Sequence, residues 1–287
     1  MSQSLPETPP TATSAPVLEL RGISASYGQT PVLRDLAITV NSGEVVALLG
    51  PNGMGKTTTL RVAAGLLSPR SGNVVVAGTD VTRMSPNRRA AAGLCLIPEG
   101  RGIFRGLTVA ENLRLQVPKG RDTAAAMDVA VDAFPVLGKR LSQVAGKMSG
   151  GEQQMLALAR AYVCSPKVVL LDEVSMGLSP LMVDHVFDAI KRLAAAGVSL
   201  LIVEQYVNRA MAIADQIVLL DKGTVSFTGP PEDLDQDRLV EHYLGGEVSA
   251  GEASSPATSV DVLAADAATV SSVTGQEAVL AERLNGL

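Results

Sequence analysis

The feature that most restricts the fold of this chain is the stretch GPNGMGKT at residues 50–57, which directly follows the apolar run VVALL at 45–49. It fits the pattern G-x-x-x-x-G-K-[ST], in which a buried strand passes through a glycine-rich loop into a helix. Glycines let backbone N–H groups approach phosphate oxygens, and the positive end of the following helix favours the anion. We therefore predict a phosphate-binding loop in which Lys56 contacts the outer phosphates and Thr57 is a ligand of Mg²⁺.

Three further short apolar runs also end in polar residues. Glu99 follows LCLI at 94–97, the pair Asp172 and Glu173 follows VVLL at 168–171, and the pair Glu204 and Gln205 follows SLLIV at 199–203. Continuous apolar runs are typical of parallel strands buried on both faces, and ligands bind outside the carboxyl ends of such strands. We predict that these strand ends and the phosphate loop form one site. One carboxylate of the 172–173 pair can hold the metal, and its neighbour can polarise an attacking water.

Between about residues 99 and 164 the pattern is helical. Thr108 and Glu111 have the spacing of a capping box, and MSGGEQQ at 148–154 opens a helix that is predicted to end near Cys164. A Ser-Gly-Gly start leaves backbone N–H groups bare at the positive end of the helix dipole, which is an anion-binding arrangement. The alternative interpretation is a helix cap after a flexible turn.

Composition excludes several classes of protein. The net charge is -5 without a basic run, Trp is absent and aromatic residues make up 3%, so no nucleic-acid partner is expected. No window approaches the roughly 18–20 continuous apolar residues that a membrane span needs. The two cysteines, Cys95 and Cys164, lie in apolar surroundings and indicate a reducing compartment rather than a disulfide framework.

The two ends of the chain differ in composition from its centre. Residues 1–16 are rich in Pro, Thr and Ser, lack Lys and Arg, and are predicted to be a disordered leader without a secretory signal. Residues 247–287 are rich in Ala, Ser, Thr and Val and are predicted to be a mostly disordered tail. Within that tail, residues 275–286 fit either a short amphipathic partner-binding helix or a frayed terminus.

With the phosphate loop, SGGEQQ at 149–154 and LLDE at 170–173 in this order, residues 17–246 resemble the ABC transporter ATPases. The resemblance implies an α/β fold of the P-loop NTPase type, namely a RecA-like core with an antiparallel β edge and an inserted α-helical subdomain at about 99–164. Four shorter stretches are similar to the LivF-type ATPases of branched-chain amino acid importers: PEGR at 98–101, SMGL at 175–178, VEQ at 203–205 and YLGG at 243–246.

The family implies a head-to-tail dimer of cassettes that closes on two ATP molecules. Tyr27 would stack on adenine, Glu173 would be the general base for water, and Gln205 would donate a hydrogen bond to the γ-phosphate. Mg²⁺ would be held by Thr57 and Asp172, with Glu99 as a possible further ligand. The other residues implied in nucleotide binding are Gly50, Pro51, Asn52, Gly53, Met54, Gly55, Lys56 and Thr58, with Ser149, Gly150, Gly151 and Glu152 contributed in trans by the partner cassette.

Several positions depart from the general pattern of the family. Glu99 stands where most members have Gln, and Gln205 where most have His, and both exchanges occur in the LivF-like branch. Gln205 can donate an amide hydrogen bond but cannot titrate. Val174 replaces the usual Pro after the catalytic Glu, and Ser179 replaces the usual Asp of the next loop.

The function implied is that of an ATPase subunit that couples ATP hydrolysis to uptake of branched-chain or related amino acids. Its partners would be membrane permease subunits, a second ABC ATPase subunit (identical or related) and, indirectly, an extracytoplasmic solute-binding protein. It would lie peripherally on the cytoplasmic face of the cell membrane, with the helical segment receiving a coupling helix of the permease. The alternatives are a urea or short-amide importer ATPase and a soluble ABC ATPase without a transport role. A small-molecule kinase is disfavoured by the Ser-Gly-Gly motif and by Glu173 beside Asp172.

Overall fold

A computed structural model describes residues 15–234 of the chain, which form two β-sheets and a set of helices. The strands are β1 (Pro16–Tyr27), β2 (Thr30–Asn41), β3 (Val45–Leu49), β4 (Ser71–Val76), β5 (Thr79–Asp80), β6 (Leu94–Ile97), β7 (Val168–Asp172), β8 (Ser199–Val203), β9 (Gln216–Asp221) and β10 (Thr224–Gly229). The helices are α1 (Lys56–Ala63), α2 (Pro86–Ala91), α3 (Val109–Arg114), α4 (Thr123–Ala133), α5 (Pro135–Gly138), α6 (Gly150–Cys164), α7 (Pro180–Ala195) and α8 (Val207–Met211), with 3₁₀ turns at Ala145–Lys147 and Pro231–Asp233.

The larger sheet has the strand order β10-β9-β3-β8-β7-β6. All of its neighbouring strands are parallel except β10, which pairs antiparallel with β9. Every residue of β3, β7 and β8 is buried, because helices or the second sheet cover both faces. The continuous apolar runs in the sequence therefore indicated parallel buried strands correctly.

The smaller sheet is antiparallel, with the order β2-β1-β4-β5. β1 extends over twelve residues, Pro16–Tyr27, and β2 over twelve, Thr30–Asn41. The register between β1 and β2 shifts between Leu20 and Ile23 and again beyond it. Such bulges insert an unpaired residue and interrupt the alternation of apolar and polar side chains. The first half of β2, before Leu36, therefore lacks the period-two pattern that its second half keeps.

Between β6 and β7 the described chain is helical. The predicted capping box of Thr108 with Glu111 is formed at the start of α3. A second capping box, of Ser149 with Glu152, is formed at the start of α6, where the sequence offered a helix cap as the alternative interpretation. In each, the hydroxyl accepts a bond from the third helical N–H and the carboxylate accepts one from the cap residue. A parallel α/β core, an antiparallel β edge and an inserted helical region together match the predicted ABC ATPase fold.

Two hydrophobic clusters cover opposite faces of the larger sheet. On β6, Cys95 and Ile97 face the cluster that includes α4, α6 and α7, whereas Leu94 and Leu96 face the cluster that includes α1 and the antiparallel sheet. Among residues 15–234, no helix has the length and apolar character that crossing a membrane would require. Of the predicted leader, residues 1–14 lie outside the described residues, whereas Pro16 is the first residue of β1. The YLGG stretch and the tail also lie outside the described residues.

Candidate functional site

The carboxyl ends of four parallel strands lie side by side. β3, β8, β7 and β6 are consecutive in the sheet, and Gly50, Glu204, Asp172 and Glu99 lie at or just beyond their respective carboxyl ends. The structure thus brings these four sequence-predicted positions to one edge of the sheet. This edge is where ligands of open parallel sheets bind.

The loop between β3 and α1 requires glycine at two positions. Gly50 has φ 143°, and a Cβ there would overlap with the carbonyl oxygen of Leu220 on β9. Gly55, the N-cap of α1, has φ 106°, and a Cβ would lie 2.7 Å from Cδ2 of Leu33. Side chains rarely adopt such φ values, so both positions favour glycine on backbone and steric grounds. Between them, Asn52 and Gly53 are exposed.

Lys56 is almost fully buried at the start of α1, with 6% of its surface exposed. Its Nζ donates hydrogen bonds to the carbonyl oxygens of Gly50 at 2.6 Å and Pro51 at 3.1 Å. Burial lowers the pKa of Lys56, and the nearby carboxylates of Glu173 and Asp172 oppose that shift. The ammonium group therefore lies inside the loop, next to the predicted acids, where it can neutralise phosphate oxygens.

Thr57 and Asp172 are in direct contact although they lie far apart in the chain. Thr57 Oγ1 donates a hydrogen bond to Asp172 Oδ1 at 3.0 Å. Burial raises the pKa of Asp172, the Thr57 hydrogen bond opposes this, and the charges of Glu173 and Glu99 raise it further. The contact joins the amino end of α1 to the carboxyl end of β7.

This oxygen-rich group fits Mg²⁺. A cation would relieve the burial cost and the mutual repulsion of the carboxylates, and Mg²⁺ prefers hydroxyl and carboxylate oxygens. Within residues 15–234, no three His, Cys, Asp or Glu side chains are arranged as a metal site. Thr57 and Asp172 offer two protein oxygens, and water and phosphate oxygens would complete the coordination, as is usual for Mg²⁺.

Glu173 and Gln205 meet between the loops that follow β7 and β8. Gln205 Nε2 donates a hydrogen bond to Glu173 Oε2 at 3.1 Å. Glu173 has φ 47°, and its N–H donates to the Val203 carbonyl oxygen at 2.8 Å. A non-glycine residue in the left-handed region is uncommon and is often found at functional sites. The two residues predicted to act on water and on the γ-phosphate thus touch each other.

Glu204 has a structural role that the sequence did not reveal. It is buried, with 1% exposed, and its carboxylate accepts hydrogen bonds from Ser175 N at 3.1 Å, from Ser175 Oγ and from Gln205 N at 3.3 Å. Burial raises the pKa of Glu204 to about 7 in spite of these donors. Glu204 therefore ties together the loops that carry Glu173 and Gln205. The only sequence signal was its place at a strand end, which does not reveal burial.

Val174 and Ser179, the two departures after β7, lie at a core position and at a helix start. Val174 is buried in the core cluster that includes α6 and α7, and Ser179 is the N-cap residue of α7. The structure accounts for an apolar residue at 174.

The Ser-Gly-Gly cluster lies at the amino end of α6, where Ser149 and Gly150 are exposed. Glu152 Oε1 forms an ion pair with Arg140 Nη2 at 2.8 Å. Arg101, in the segment after β6, donates from Nη1 to Gln153 Oε1 at 2.7 Å. This bond, which the sequence did not suggest, links the chain beyond Glu99 to the start of α6.

Tyr27 ends β1 with 44% of its surface exposed. Its hydroxyl accepts a hydrogen bond from Arg61 Nη1 at 3.2 Å, and Arg61 lies on α1. That hydrogen bond raises the pKa of Arg61, and the charges of Asp172 and Glu99 add to the effect. Tyr27 therefore presents an open ring beside the helix that begins at the phosphate loop.

Comparisons with known proteins agree with this geometry. The family model described as ABC transporter matches residues 33–176. The chain is 37% identical to the high-affinity branched-chain amino acid transport ATP-binding protein BraG of Pseudomonas aeruginosa, over 80% of this chain and 100% of BraG. It is 37% identical to the probable branched-chain amino acid transport ATP-binding protein LivF of Archaeoglobus fulgidus, over 79% and 97%. It is also 33% identical to the lipopolysaccharide export system ATP-binding protein LptB of Haemophilus influenzae, over 80% and 97%.

Solved structures give the same result for the fold. An ATP-binding subunit of an ABC transporter superposes with a TM-score of 0.69 at 28% identity, covering 80% of this chain and 97% of its own. The ADP conformation of the ATP-binding cassette MJ1267 superposes with a TM-score of 0.71 at 24% identity, covering 81% and 100%.

Proposed function

The chain belongs to the ABC transporter ATPase family, and we propose that it powers an importer of branched-chain or related amino acids. Its hydrolytic activity follows from the family. The observation that carries the site is the meeting of Lys56 and Thr57, which follow β3, with Asp172 and Glu173 at the end of β7. The amino-acid substrate is supported by BraG and LivF, each 37% identical over about four fifths of the chain.

We propose that the phosphate loop, residues 50–58, binds the phosphates of ATP. Backbone N–H groups of the loop and the Lys56 ammonium group would contact phosphate oxygens, and the exposed ring of Tyr27 would stack on adenine. Mg²⁺ would be held by Thr57 and Asp172, with Glu99 as a further candidate, and would neutralise charge on the phosphates. Phosphoryl transfer depends mainly on such positioning and electrostatic stabilisation.

Glu173 would accept a proton from the attacking water. Its carboxylate lies beside the predicted Mg²⁺ ligand Asp172, and its contact with Gln205 fixes its orientation. The Gln205 amide has two N–H donors, so one can stay on Glu173 while the other is offered to the γ-phosphate. Glu204 would hold the two loops together by accepting hydrogen bonds from Ser175 and Gln205.

We further propose that two cassettes assemble head to tail. The support is that Ser149 and Gly150, at the amino end of α6, are exposed and can contact a nucleotide held by a partner. Gly151 and Glu152 would complete this second half-site. A monomer should then bind ATP but hardly hydrolyse it. The test is ATPase activity per chain across a dilution series: a steep fall on dilution with retained ATP binding is expected. The dimer would be contradicted if ATPase activity per chain stayed constant on dilution to a concentration at which light scattering shows only monomers.

The importer would also contain membrane permease subunits and, indirectly, an extracytoplasmic solute-binding protein. The chain would lie on the cytoplasmic face of the membrane, with the helical segment at about 99–164 contacting the permease. A second candidate, the ATPase of a lipopolysaccharide export system, is supported by the 33% identity to LptB.

The two candidates differ in what stimulates hydrolysis. The chain would be reconstituted in liposomes with permease subunits and the solute-binding protein of a branched-chain amino acid importer, and ATP-dependent accumulation of labelled leucine would be measured. Leucine uptake that Glu173→Gln abolishes is expected. Uptake of urea or amides alone, or activity only with a lipopolysaccharide-extracting permease, would overturn the amino-acid assignment and leave the ATPase assignment intact.

A further inference from the structure

The two cysteines of the chain lie next to each other in the fold. Cys95 is on β6, and Cys164 is the last residue of α6. Arg160, one helical turn before Cys164, donates from Nη1 to the carbonyl oxygen of Leu96 at 3.3 Å, so this face of α6 packs directly on β6. The two thiols lie within hydrogen-bonding reach of each other.

The surroundings of the two thiols differ. The hydrogen bond to Cys164, together with burial, raises the pKa of Cys95 well above its ordinary value. The same hydrogen bond lowers the pKa of Cys164, burial opposes this, and the positive charges of Arg160 and Arg121 lower it further. Cys164 is only half-buried, and its Sγ lies 3.2 Å from the Gln116 carbonyl oxygen. Because the thiolate is the nucleophile, Cys164 is the reactive member of the pair.

A cavity reaches the residues around Cys164. It has a volume of about 720 Å³ and is lined in part by Arg121, Ser165, Pro166 and Lys167. Arg121 Nη1 and Ser165 Oγ are buried there without a hydrogen-bond partner. The cavity lies at the amino ends of β7 and β8, away from the phosphate loop at the carboxyl ends. The cavity borders Ser165, the residue next to Cys164, so a small polar oxidant can reach this end of α6 without entering the nucleotide site.

We propose that Cys95 and Cys164 are a reversible dithiol–disulfide pair, oxidised by a peroxide that reacts first at Cys164. The Cys164 thiolate attacks one peroxide oxygen, the O–O bond breaks, and hydroxide leaves, which gives a sulfenic acid on Cys164. The Cys95 sulfur then attacks the Cys164 sulfur, the S–O bond breaks, and the departing hydroxide takes the Cys95 proton to form water. In sum, two thiols and one peroxide give one disulfide and two waters. An external thiol reduces the disulfide by exchange.

A disulfide at this position would join two elements that lead to opposite parts of the site. β6 leads to Glu99, and α6 begins at the Ser-Gly-Gly cluster. Reducing compartments keep most thiols free, and the disulfides that do form there are usually transient and redox-sensing. The pair is thus placed to respond to oxidising conditions by forming a disulfide within the ATPase.

The test is intact-mass and peptide mapping of the full chain after treatment with hydrogen peroxide and blocking of free thiols. A loss of two hydrogens, a peptide cross-link between Cys95 and Cys164, and full recovery with dithiothreitol are expected. Monomeric protein with both thiols still free, or disulfides only between chains, would overturn the proposal. Because this measurement uses the parental protein, its result does not depend on whether a variant folds.

Two matched variants assign the order of reaction. In Cys95→Ser, a sulfenic acid should accumulate on Cys164 and be trapped by dimedone, because the resolving thiol is gone. In Cys164→Ser, dimedone labelling should be absent and Cys95 should stay reduced. Equal dimedone labelling of the two variants would contradict the assignment of Cys164 as the thiol that reacts first. Labelling of Cys95 in Cys164→Ser, without labelling of Cys164 in Cys95→Ser, would contradict it too. Thermal unfolding of each variant in the reduced state checks that both are folded.

Discussion

Gln205 donates a hydrogen bond from Nε2 to Oε2 of Glu173 at 3.1 Å, which links the ends of the neighbouring strands β8 and β7. This contact joins the residue that would activate water to the residue that would sense the γ-phosphate. The Gln205 amide does not titrate, so Gln205 brings no change of charge to this link. The buried Glu204 beneath it is different, since burial raises its pKa to about 7.

Glu173→Gln should bind ATP normally and hydrolyse it about 10²–10⁴-fold more slowly, because the amide preserves the shape of the site but cannot accept the proton. The measurements are steady-state phosphate release and equilibrium binding of a fluorescent ATP analogue. Glu232→Gln is the matched control and should keep parental activity, because this exposed glutamate follows β10 on the side of the amino end of β9, away from the carboxyl ends of the parallel strands. Turnover of Glu173→Gln at the parental rate would exclude Glu173 as the base.

Gln205→Ala should lower the hydrolysis rate without changing the shape of its pH profile, since Gln205 has no titrating group. The measurement is the rate of hydrolysis at saturating ATP from about pH 5.5 to 8.5 for the parent and the variant. If the parent shows a step near pH 7, Glu204→Gln should remove it and Gln205→Ala should keep it. Loss of such a step in Gln205→Ala alone would contradict the assignment.

Glu204 should make the folded state less stable as the pH rises. Its pKa is about 7 in the fold and 4.5 in its ordinary state, so the folded protein holds a proton that the unfolded chain releases in between. Its contribution is complete below about pH 4.5 and is lost as the pH rises through about 7, with an upper bound of about 3–4 kcal/mol. Urea unfolding at several pH values measures this slope. Glu204→Gln should flatten it relative to Glu232→Gln, and an unchanged slope would refute the role of Glu204.

Gly223→Ala should destabilise the fold more than Gly78→Ala. Both glycines have similar positive φ values, 82° and 77°, so both substitutions carry a backbone cost of about 1–2 kcal/mol. A Cβ at 223 would also overlap with the Val32 carbonyl oxygen, whereas nothing lies within 4 Å at 78. We expect an additional loss of about 1–3 kcal/mol at 223 in chemical denaturation. Equal losses at the two positions would show that the turn after β9 moves away from β2 at little cost.

Arg89→Met should destabilise the fold by about 2–4 kcal/mol, because it leaves buried carbonyl oxygens without donors. Arg89 is 1% exposed and donates to the carbonyl oxygens of Val62 and Ala63, at the carboxyl end of α1, at 2.7 Å each. It also donates to Thr82 O at 2.7 Å. Arg88→Met, at the exposed neighbour, is the control and should change the free energy of unfolding by less than about 0.5 kcal/mol. If Arg89→Met changed the free energy of unfolding by a similarly small amount, water would have replaced the guanidinium group as the donor to these carbonyl oxygens.

Local patterns in the sequence were enough to predict the elements that carry the site. The phosphate loop, the buried strands β3, β7 and β8, and the capping box at Thr108 depend on residues within a few positions of one another. Since parallel strands share one carboxyl edge, the sequence also predicted that Gly50, Glu99, Asp172 and Glu204 would lie at the same edge. A strand that is buried on both faces is a continuous apolar run, and such a run can be recognised in a single sequence.

Contacts between distant parts of the chain were decided only by the tertiary structure. The sequence by itself determined that Glu204 follows a buried strand, but its burial depends on Ser175 from another loop. Arg89 looks like a surface residue beside Arg88, yet it caps α1 from a different element. Cys95 and Cys164 are separated by the whole helical region and still meet where α6 packs on β6. Such contacts have no sequence period, because packing in three dimensions, and not spacing along the chain, brings the groups together.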